Sequence, residues 1–536
     1  MLWRQSAKEG IIMHTLFFIK RNNMKLIDRR YYKYILAIVI GLGLTYLLNP
    51  FIFQKDSSIP HLSTFSLLLS IFLLIKEKNK ILNSIGGVLL FFLLIQINYS
   101  LVFGERISVS VLDSFVETNK KESLSMVSHL FFIMLLPAII VTIALSYLII
   151  KKTRNIHYHI SFKALPIFVF FTTFYLSVSA IDKQLLSDIK EDDKTVGRFI
   201  RDRYPAVIGD FAYLYISRNS NDKYADISEI NKFNDSIIGK KNNDIDNIIF
   251  IIGESSLSTH YSAYGYELNT TPNMHNIFSS NGGCIINNAH SSAPITRNSI
   301  SMSLAFHTPE SEENLFKNKS IIEMAKSNGY KTYWLGSQEL DGLHASKYGF
   351  IAKKSDIIKL TNYKDDNLST LLRNVLSDNE EKRFIVIHLH GSHMPYKNYD
   401  NDDKLALPNA DKYDLTIHYT DRVIKNIYEA INKKNINYSL IYTSDHGEII
   451  NKGHGYQKGR EQYLVPFMYK SNNHQYNCQF IESFKNKDGY LSGLMNKYIL
   501  SELTGYNIEP SILNKEKNND RVLTADESIL PFSQIE

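Results

Sequence analysis

The chain has 536 residues, of which 44% are hydrophobic and 21% charged, so it can hold several domains and is too apolar to be disordered throughout. Its net charge is +6, and the basic excess of residues 1–33, eight basic against two acidic side chains, accounts for all of it. The remaining chain is neutral overall, which excludes an extended cationic surface for nucleic acid. Two cysteines, Cys284 and Cys478, are too few for a disulfide scaffold or a thiolate-rich metal site.

Five apolar runs follow the basic leader, and none of them contains Asp, Glu, Lys or Arg. A helix needs about 20 residues to cross roughly 30 Å of hydrocarbon. Two of the runs are short, and a buried soluble helix is the alternative interpretation for those two. Because the short runs occur next to longer ones, we interpret all five as membrane spans. The predicted spans are 34–53, 60–75, 81–103, 126–150 and 164–181, which makes 34–181 an α-helical five-span membrane domain.

Lysine and arginine alternate between the connections of these runs. The leader has eight, 76–80 has three and 151–163 has four, whereas 54–59 has one and the three in 104–125 are offset by four acidic residues. Because cytoplasmic loops keep the positive charge, the leader 1–33 is predicted to be cytoplasmic. An odd number of spans then places everything after about residue 182 outside, in the periplasm of a bacterium. A disulfide between the two cysteines is permitted in that compartment.

The second half of the chain changes character at about residue 241. Residues 182–240 are polar with scattered apolar positions, and we interpret them as periplasmic linker helices that serve packing. In 241–536, short β-branched runs alternate with helical segments, which predicts an α/β domain with a central, largely parallel sheet covered on both faces. Ligands of such sheets bind beyond the carboxyl ends of the strands. The predicted strands are 247–253, 331–337, 383–391, 438–447 and 465–471.

Carboxylates and imidazoles follow three of these strands. Within these runs the first strand ends at residue 252, the third at 389 and the fourth at 443. Glu254 follows the first strand end, His390 and His393 follow the third, and Asp445 and His446 follow the fourth. Singly, each has a plain structural interpretation, such as a helix-terminal acid or a surface Asp with a neighbouring His. Together at one edge they offer the oxygen and nitrogen ligands that zinc or manganese prefers, which predicts a catalytic metal site.

Thr296 is a candidate for the group that such a metal would activate. The pattern of residues 300–306 predicts a helix that begins near Thr296, where free N–H groups favour an anion such as phosphate. A metal would lower the pKa of the threonine hydroxyl and make it a nucleophile. A threonine at a helix start can equally serve as a cap, and the residues alone leave the two interpretations open.

Taken together, these motifs resemble the phosphoethanolamine transferases of Gram-negative inner membranes, a branch of the alkaline phosphatase/sulfatase superfamily. The similarity extends over nearly the whole chain and includes the five spans. The motifs that carry it are Gly253-Glu254-Ser255, Tyr264-Gly265-Tyr266, Thr270-Thr271-Pro272, Thr296, His390-Gly391-Ser392-His393-Met394-Pro395-Tyr396, Ser444-Asp445-His446-Gly447-Glu448 and His454.

The resemblance implies roles for individual residues. One catalytic zinc is held by Glu254, Thr296, Asp445 and His446, with Thr296 as the nucleophile. His393 and His454 hold the phosphoryl group or a second zinc. Ser114, Thr118 and Glu122 resemble the set that contacts the ethanolamine head group, and their four-residue spacing places them on one helical face. Ser114 stands where that family usually has Asn.

The implied reaction takes phosphoethanolamine from phosphatidylethanolamine to an envelope glycolipid, the lipid A or core of lipopolysaccharide or another glycan, at the membrane surface. Residues Arg297-Asn298-Ser299 replace the cysteine-containing segment of the lipid A enzymes, which brings the chain closer in style to relatives that modify the core or other glycans. The alternative is a phosphoglycerol transferase that uses phosphatidylglycerol, although Glu122 favours an ammonium group. A sulfatase is disfavoured because Thr cannot form the formylglycine aldehyde. The uncharged spans disfavour a transporter, and the complete set of candidate ligands disfavours an inactive scaffold.

Overall fold

The computed structural model describes residues 29–53, 58–117, 131–153, 155–181, 193–219, 230–241, 244–340 and 346–536. The chain divides into two units, with boundaries at 106/107, 127/128 and 217/218. We call the unit that contains residues 29–106 and 131–217 the membrane unit. The unit that contains residues 107–117 and 218–536 is called the sheet unit.

Five long apolar helices form most of the membrane unit, as the sequence predicts. Caps shift their bounds: the Asn79 side chain accepts from Ile81 N at 2.9 Å, and the His159 ring accepts from Ser161 N, so two of these helices begin before their apolar runs. Residues 126–130 of the predicted fourth span lie outside the described residues. The helices up to residue 219 are α1 Arg29–Ile52, α2 Ser58–Ile75, α3 Lys80–Phe103, α4 Val109–Glu117, α5 Leu136–Thr153 with a π-helical turn Phe131–Leu135 before it, α6 Ile160–Ser179, α7 Asp193–Arg201 and α8 Ala206–Asn219.

Helices α7 and α8 lie in the region that the sequence assigns to linker helices. A buried ion pair joins them, in which Arg201 Nε donates to Asp210 Oδ1 at 2.8 Å. Both helices belong to the membrane unit up to residue 217, while the strand that begins at Ile237 belongs to the sheet unit. The assignment of 182–240 to the periplasm stays a prediction.

A seven-stranded sheet organises the sheet unit, in the order β3-β9-β8-β2-β7-β5-β6. Five neighbouring strands are parallel, and at one edge β9 runs antiparallel to both of its neighbours, β8 and β3, so the predicted largely parallel sheet is confirmed. The strands are β1 Ile237–Lys240, β2 Asn247–Gly253, β3 Gly283–Ile285, β4 Ala289–His290, β5 Lys331–Gly336, β6 Ile357–Leu360, β7 Arg383–His388, β8 Tyr438–Ser444, β9 Phe467–Ser471, β10 Leu491–Ser492, β11 Tyr506–Ile508, β12 Arg521–Leu523 and β13 Ile529–Pro531.

Both faces of the sheet are covered by helices. Along β2, Ile248 and Phe250 pack into one apolar cluster, while Ile249 and Ile251 pack into the other. This alternation explains why the strand reads as an unbroken apolar run. The remaining helices are α9 Pro272–Ser279, α10 Thr296–Leu304, α11 Glu313–Lys317, α12 Ile321–Ser327, α13 Ser346–Ala352, α14 Leu368–Val375, α15 Asn401–Ala406, α16 Lys412–Asn432, α17 Cys478–Glu482, α18 Asn496–Leu503 and α19 Pro510–Asn518.

The two cysteines lie side by side although they are far apart in sequence. Cys284 on β3 and Cys478 at the start of α17 are free thiols, and they are close enough for Cys478 to affect the pKa of Cys284. Burial and the neighbouring Cys478 raise the pKa of the Cys284 thiol. A disulfide between them stays a prediction, and the contact leaves it geometrically open.

Candidate active site at the strand ends

The three strands that carry the predicted ligands are neighbours at the centre of the sheet. In the order β8-β2-β7, Gly253 pairs with Ser444, and Ile252 pairs with His388. Parallel strands in this register end at the same level. The residues that follow them therefore meet at one edge, which is the arrangement that the sequence predicts.

Four predicted ligands converge there. The Thr296 hydroxyl lies 3.2 Å from Glu254 Oε2 and 3.2 Å from His446 Nε2. His446 Nε2 also lies 3.4 Å from Glu254 Oε1 and 3.2 Å from Asp445 Oδ2. Glu254, Asp445 and His446 are completely or almost completely buried, and Thr296 is partly buried. Two carboxylates, an imidazole and a hydroxyl thus face one point.

The orientation of each ligand is fixed by groups behind it. Asp445 Oδ1 accepts from the backbone N–H groups of Ser255 at 3.1 Å and His446 at 2.7 Å, which leaves Oδ2 buried without a hydrogen bond. His446 Nδ1 donates to Gly447 O at 2.7 Å, so the lone pair of Nε2 faces the other ligands. An unpartnered carboxylate oxygen and an imidazole lone pair are what a cation would need. The residues therefore fit a zinc site.

The electrostatics of the site also favour a cation. Burial and the negative charge of Glu254 raise the pKa of Asp445 well above its usual range. For Glu254, burial acts in the same direction, but the fields of His446, His393 and His454 outweigh it and hold the pKa of this carboxyl below its usual range. A divalent cation between the two carboxyl groups would offset the burial and the repulsion that disfavour the ionisation of Asp445.

Thr296 is the first residue of α10, whose N-cap is Ile295. No side chain caps this helix, because the N-cap residue Ile295 has no polar group, and the Thr296 hydroxyl is directed at Glu254 and His446. Thr296 therefore does not act as a helix cap. Its position at the first helical residue places the hydroxyl beside free backbone N–H groups, where a phosphoryl group is stabilised.

His393 and His454 flank these ligands. The His454 ring centroid lies 4.1 Å from that of His446 and 6.1 Å from that of His393. His393 Nδ1 donates to Met394 O at 2.7 Å, which leaves Nε2 free for a ligand. His454 Nδ1 pairs with Glu448 Oε2 at 3.0 Å, and His446, Glu448 and His454 form a second group with ligand atoms close enough for a metal.

Gln338 is a site residue that the sequence reasoning missed. Its Nε2 donates to Glu254 Oε2 at 3.0 Å and to Leu389 O at 2.8 Å, and it lies 3.2 Å from His388 Nε2. Gln338 thus orients the Glu254 carboxylate. The signal was available, because Gln338 follows the predicted strand 331–337 as directly as Glu254 follows 247–253.

Asp365 and Gly391 shape the loop that bears His393. Asp365 is buried and accepts from the backbone N–H groups of His390 at 2.8 Å and Gly391 at 2.9 Å. Gly391 has φ +52°, and a Cβ there would lie 2.8 Å from Glu254 O. Only glycine allows this loop to approach the Glu254 backbone so closely.

Of the three residues predicted to contact the head group, the structure describes only Ser114. Ser114 lies on α4, in the sheet unit, and Thr118 and Glu122 lie outside the described residues. The residue before Ser114, Asp113, forms an ion pair with Arg297, the residue after Thr296. The roles of Ser114, Thr118 and Glu122 stay predictions.

Comparison with known proteins supports the same fold. Residues 246–496 match the sulfatase family. The chain is 24% identical over 442 residues to phosphoethanolamine transferase EptC of Escherichia coli strain K12, which covers 75% of this chain and 76% of that relative. Among solved structures, the C-terminal periplasmic domain of E. coli EptC in complex with Zn matches with a TM-score of 0.50 and 21% identity, over 57% of this chain and 98% of that domain.

A full-length structure extends the match to the membrane unit. The integral membrane protein lipooligosaccharide phosphoethanolamine transferase A (EptA) from Neisseria meningitidis matches with a TM-score of 0.55 and 15% identity, over 88% of this chain and 95% of that protein. The predicted fold class, five apolar helices followed by a sulfatase-like α/β domain, is therefore confirmed. The combination fits a multi-pass membrane protein whose apolar helices precede a sulfatase-like α/β domain.

Proposed function

We propose that this chain, which belongs to the phosphoethanolamine transferase branch of the sulfatase superfamily, transfers phosphoethanolamine from phosphatidylethanolamine to a cell-envelope glycolipid, the lipid A or core of lipopolysaccharide. The observation that carries this proposal is the Thr296 hydroxyl, which does not cap its helix and lies 3.2 Å from both Glu254 Oε2 and His446 Nε2. A hydroxyl held in this way at a helix N-terminus suits covalent transfer of a phosphoryl group.

The reaction has two displacements. Thr296 Oγ1 bonds to the phosphorus of the donor, the bond from phosphorus to the diacylglycerol oxygen breaks, and the threonine proton passes by way of the hydrogen-bonded Glu254 Oε2 to that oxygen, so that diacylglycerol leaves as the alcohol. A hydroxyl or phosphate oxygen of the glycolipid then attacks the same phosphorus, the Thr296 oxygen leaves, and a proton from the acceptor or from water restores the threonine hydroxyl. One zinc ion held by Glu254, Thr296, Asp445 and His446 would lower the pKa of the threonine hydroxyl and neutralise the charge on the phosphoryl oxygens.

His393 and His454 are proposed to hold the phosphoryl oxygens or a second zinc ion. Their Nδ1 atoms are occupied by Met394 O and Glu448 Oε2, so their Nε2 atoms are available to a ligand. The His454 ring lies beside His446, and the His393 ring lies 6.1 Å from that of His454. This supports a role on the substrate side of the metal ligands.

Ser114, Thr118 and Glu122 are proposed to contact the ethanolamine head group. Their four-residue spacing supports this, and so does the ion pair that brings Asp113 to the residue after Thr296. The distribution of Lys and Arg supports a cytoplasmic N-terminus and a periplasmic sheet unit in an inner membrane.

The proposed function is tested by detecting the covalent intermediate. Wild-type protein incubated with phosphatidylethanolamine and no acceptor should carry a phosphoethanolamine adduct on the peptide that contains Thr296, as seen by mass spectrometry. Thr296→Ala should carry none and be inactive, and Thr296→Ser should retain part of both. Ser301→Ala is the matched control, because the Ser301 hydroxyl lies one turn along α10 and donates only to backbone oxygens.

An adduct on another residue, with Thr296→Ala still active, would refute the proposed mechanism. An adduct from phosphatidylglycerol and none from phosphatidylethanolamine would make the chain a phosphoglycerol transferase instead. Mass spectrometry of envelope glycolipids with and without the protein identifies the acceptor.

A further inference from the structure

Residues 107–113, which follow the third apolar helix, are buried in the sheet unit. In sequence they belong to the connection between two predicted spans, and only three residues separate Phe103, the end of α3, from Ile107. Every residue from Ile107 to Asp113 is buried. The segment is therefore a built part of the domain that carries the candidate active site.

Backbone and hydroxyl hydrogen bonds anchor the start of this segment. Ser108 Oγ donates to Gly455 O at 2.5 Å, directly beside His454. Val109 N donates to Asp526 Oδ1 at 2.8 Å, and Ser110 N donates to Ala525 O at 3.0 Å. The segment is thus held against the loop that carries a predicted site histidine.

Asp113, the last residue of the segment 107–113, forms an ion pair with Arg297 on α10, the helix that begins with Thr296. The guanidinium of Arg297 donates from Nη2 to Asp113 Oδ2, and the side chains are 6% and 1% exposed. Arg297 directly follows Thr296. The pair therefore joins the residue next to the proposed nucleophile to the segment that follows the third apolar helix.

The two residues after Arg297 are tied to other parts of the sheet unit. Lys347 Nζ donates to Asn298 Oδ1 at 2.7 Å, and Ser299 Oγ donates to Asp445 O. The first turn of α10 is consequently fixed on three sides. The ion pair between Arg297 and Asp113 connects this turn to residues 107–113, whereas the hydrogen bond of Ser299 connects it to the loop that contains Asp445.

A buried ion pair is an unusual way to hold two segments together if stability is its only role. Removing two charges from water is costly, and well-packed apolar side chains often stabilise a fold equally well. What an arginine–carboxylate contact adds is a defined direction and distance. The Asp113–Arg297 pair therefore suits a role in alignment.

We propose that Asp113 is a positioning residue, which holds the first turn of α10 through Arg297 in the alignment that a bilayer-bound donor requires. This inference rests on the proposed function. A lipid whose acyl chains stay in the bilayer cannot follow a displaced nucleophile, whereas a small diffusible ester can. The contacts of Thr296 with Glu254 and His446 involve neither Asp113 nor Arg297, so its chemistry on a diffusible ester should depend less on Asp113.

The experiment compares two substrates of the full-length protein. Transfer from phosphatidylethanolamine in vesicles and hydrolysis of the soluble p-nitrophenyl ester of phosphoethanolamine are measured for wild type, Asp113→Asn, Asp113→Glu and Arg297→Lys. We expect Asp113→Asn to reduce the ratio of lipid to soluble activity about 10-fold or more, the size typical of displaced positioning groups. Asp113→Glu and Arg297→Lys keep the charges but change the geometry, and they should reduce the ratio by less.

Lys354→Gln is the matched control. It breaks another buried ion pair of the sheet unit, in which Lys354 Nζ lies 3.0 Å from Glu323 Oε1, and it should leave the ratio of the two activities unchanged. Equal losses on both substrates for the Asp113 variants would overturn the inference, and so would no loss on either. If Asp113→Asn fails to fold, the charge-preserving Asp113→Glu and Arg297→Lys decide by the same ratio.

The outcome is separable from that of the proposed function. Absence of both lipid transfer and the Thr296 adduct in wild-type protein would refute the proposed function. An intact wild-type activity with an unchanged ratio in the variants would refute only the positioning role of Asp113.

Discussion

The strand-end edge and the segment 107–113 contribute to the same site in different ways. At the edge, Glu254, Asp445 and His446 are placed by three adjacent parallel strands, and nearby backbone groups orient them. The segment 107–113 makes its contacts with partners 184 to 417 residues away in sequence. Regular sheet topology thus supplies the reactive groups, while a remote segment supplies their alignment.

This difference has an energetic side. An edge residue that is removed leaves its neighbours in place, because the sheet is held by backbone pairing and by apolar clusters on both faces. A contact of the segment 107–113 holds two distant parts of the chain together. We therefore expect substitutions at the edge to affect chemistry first, and substitutions around the segment to affect alignment and stability.

The largest effect is expected for Asp445→Asn at the edge. Loss of one carboxylate charge from the proposed metal site should reduce transfer by about 10³-fold or more and remove most of the bound metal. The fold should be retained, because Asp445 Oδ1 and an amide oxygen can accept the same two backbone hydrogen bonds. Metal analysis and circular dichroism of the purified variant check both points, and wild-type zinc content with normal turnover would contradict the metal site.

Gln338→Leu should give the next largest effect. It removes the donor that orients Glu254 Oε2 while keeping much of the side-chain volume, and loss of such a group typically costs about 10- to 100-fold in metal affinity or activity. Zinc titration of the metal-depleted protein measures it directly. Gln338→Glu is the informative companion, since a third carboxylate beside Glu254 and Asp445 should change the metal affinity without recreating the amide donor. Wild-type affinity in Gln338→Leu would show that the edge does not need this support.

Two glycines allow the regions to be compared by one kind of substitution. Gly391→Ala places a Cβ 2.8 Å from Glu254 O at the edge, whereas Gly455→Ala places one 3.3 Å from Ser110 Cβ and 3.4 Å from Ile295 Cγ2 beside the segment. Both have positive φ, so each alanine is strained by about 1 kcal/mol or more in addition to any clash. Gly391→Ala should lose most of its transfer activity, whereas the transfer activity of Gly455→Ala should fall only a few-fold. Transfer assays measure the two activities, and melting temperatures measure the loss of stability. A larger loss of activity in Gly455→Ala than in Gly391→Ala would contradict the distinction between the two regions.

The smallest effect on activity is expected at His307, which follows the far end of α10. Burial, with the nearby ammonium of Lys347, lowers the pKa of His307 to about 3. Below pH ~6.5 the unfolded chain binds a proton at His307 that the folded protein does not bind, so stability falls as the pH drops from about 6.5 toward 3, by at most about 1.4 kcal/mol per pH unit. His307→Gln should flatten the decline of melting temperature between pH 7 and 5 and leave transfer at pH 7 unchanged. An identical decline would show that His307 does not carry this pH dependence.

The sequence predicted the edge because periodicity and connectivity are local properties. Unbroken apolar runs such as 247–253 indicated buried parallel strands, and parallel strands place the residues that follow them at one edge. The same rule would have found Gln338. The five apolar helices were predicted from composition and length for a similar reason, and at two of them the caps Asn79 and His159 begin the helix ahead of its apolar run.

The segment 107–113 could not be predicted in the same way. Its sequence shows that Asp113 is an acidic residue in a connection between two apolar runs, which is ordinarily a solvated position. Its burial against Arg297 depends on the tertiary fold of residues that lie about two hundred positions later. The state of Thr296 was also undecided by sequence, since a cap and a nucleophile occupy the same position, and only the direction of its hydroxyl distinguishes them.

The long separation between Val109 and Asp526 also has a consequence for biosynthesis. Their hydrogen bond spans 417 residues, which a ribosome adds in roughly 20 to 80 s at about 5–20 residues per second. During that time Ile107, Val109 and Leu112 have been translated, but the surface that buries them does not yet exist. Until the late-synthesised residues are added, the nascent chain therefore carries an apolar segment that its own fold does not yet cover.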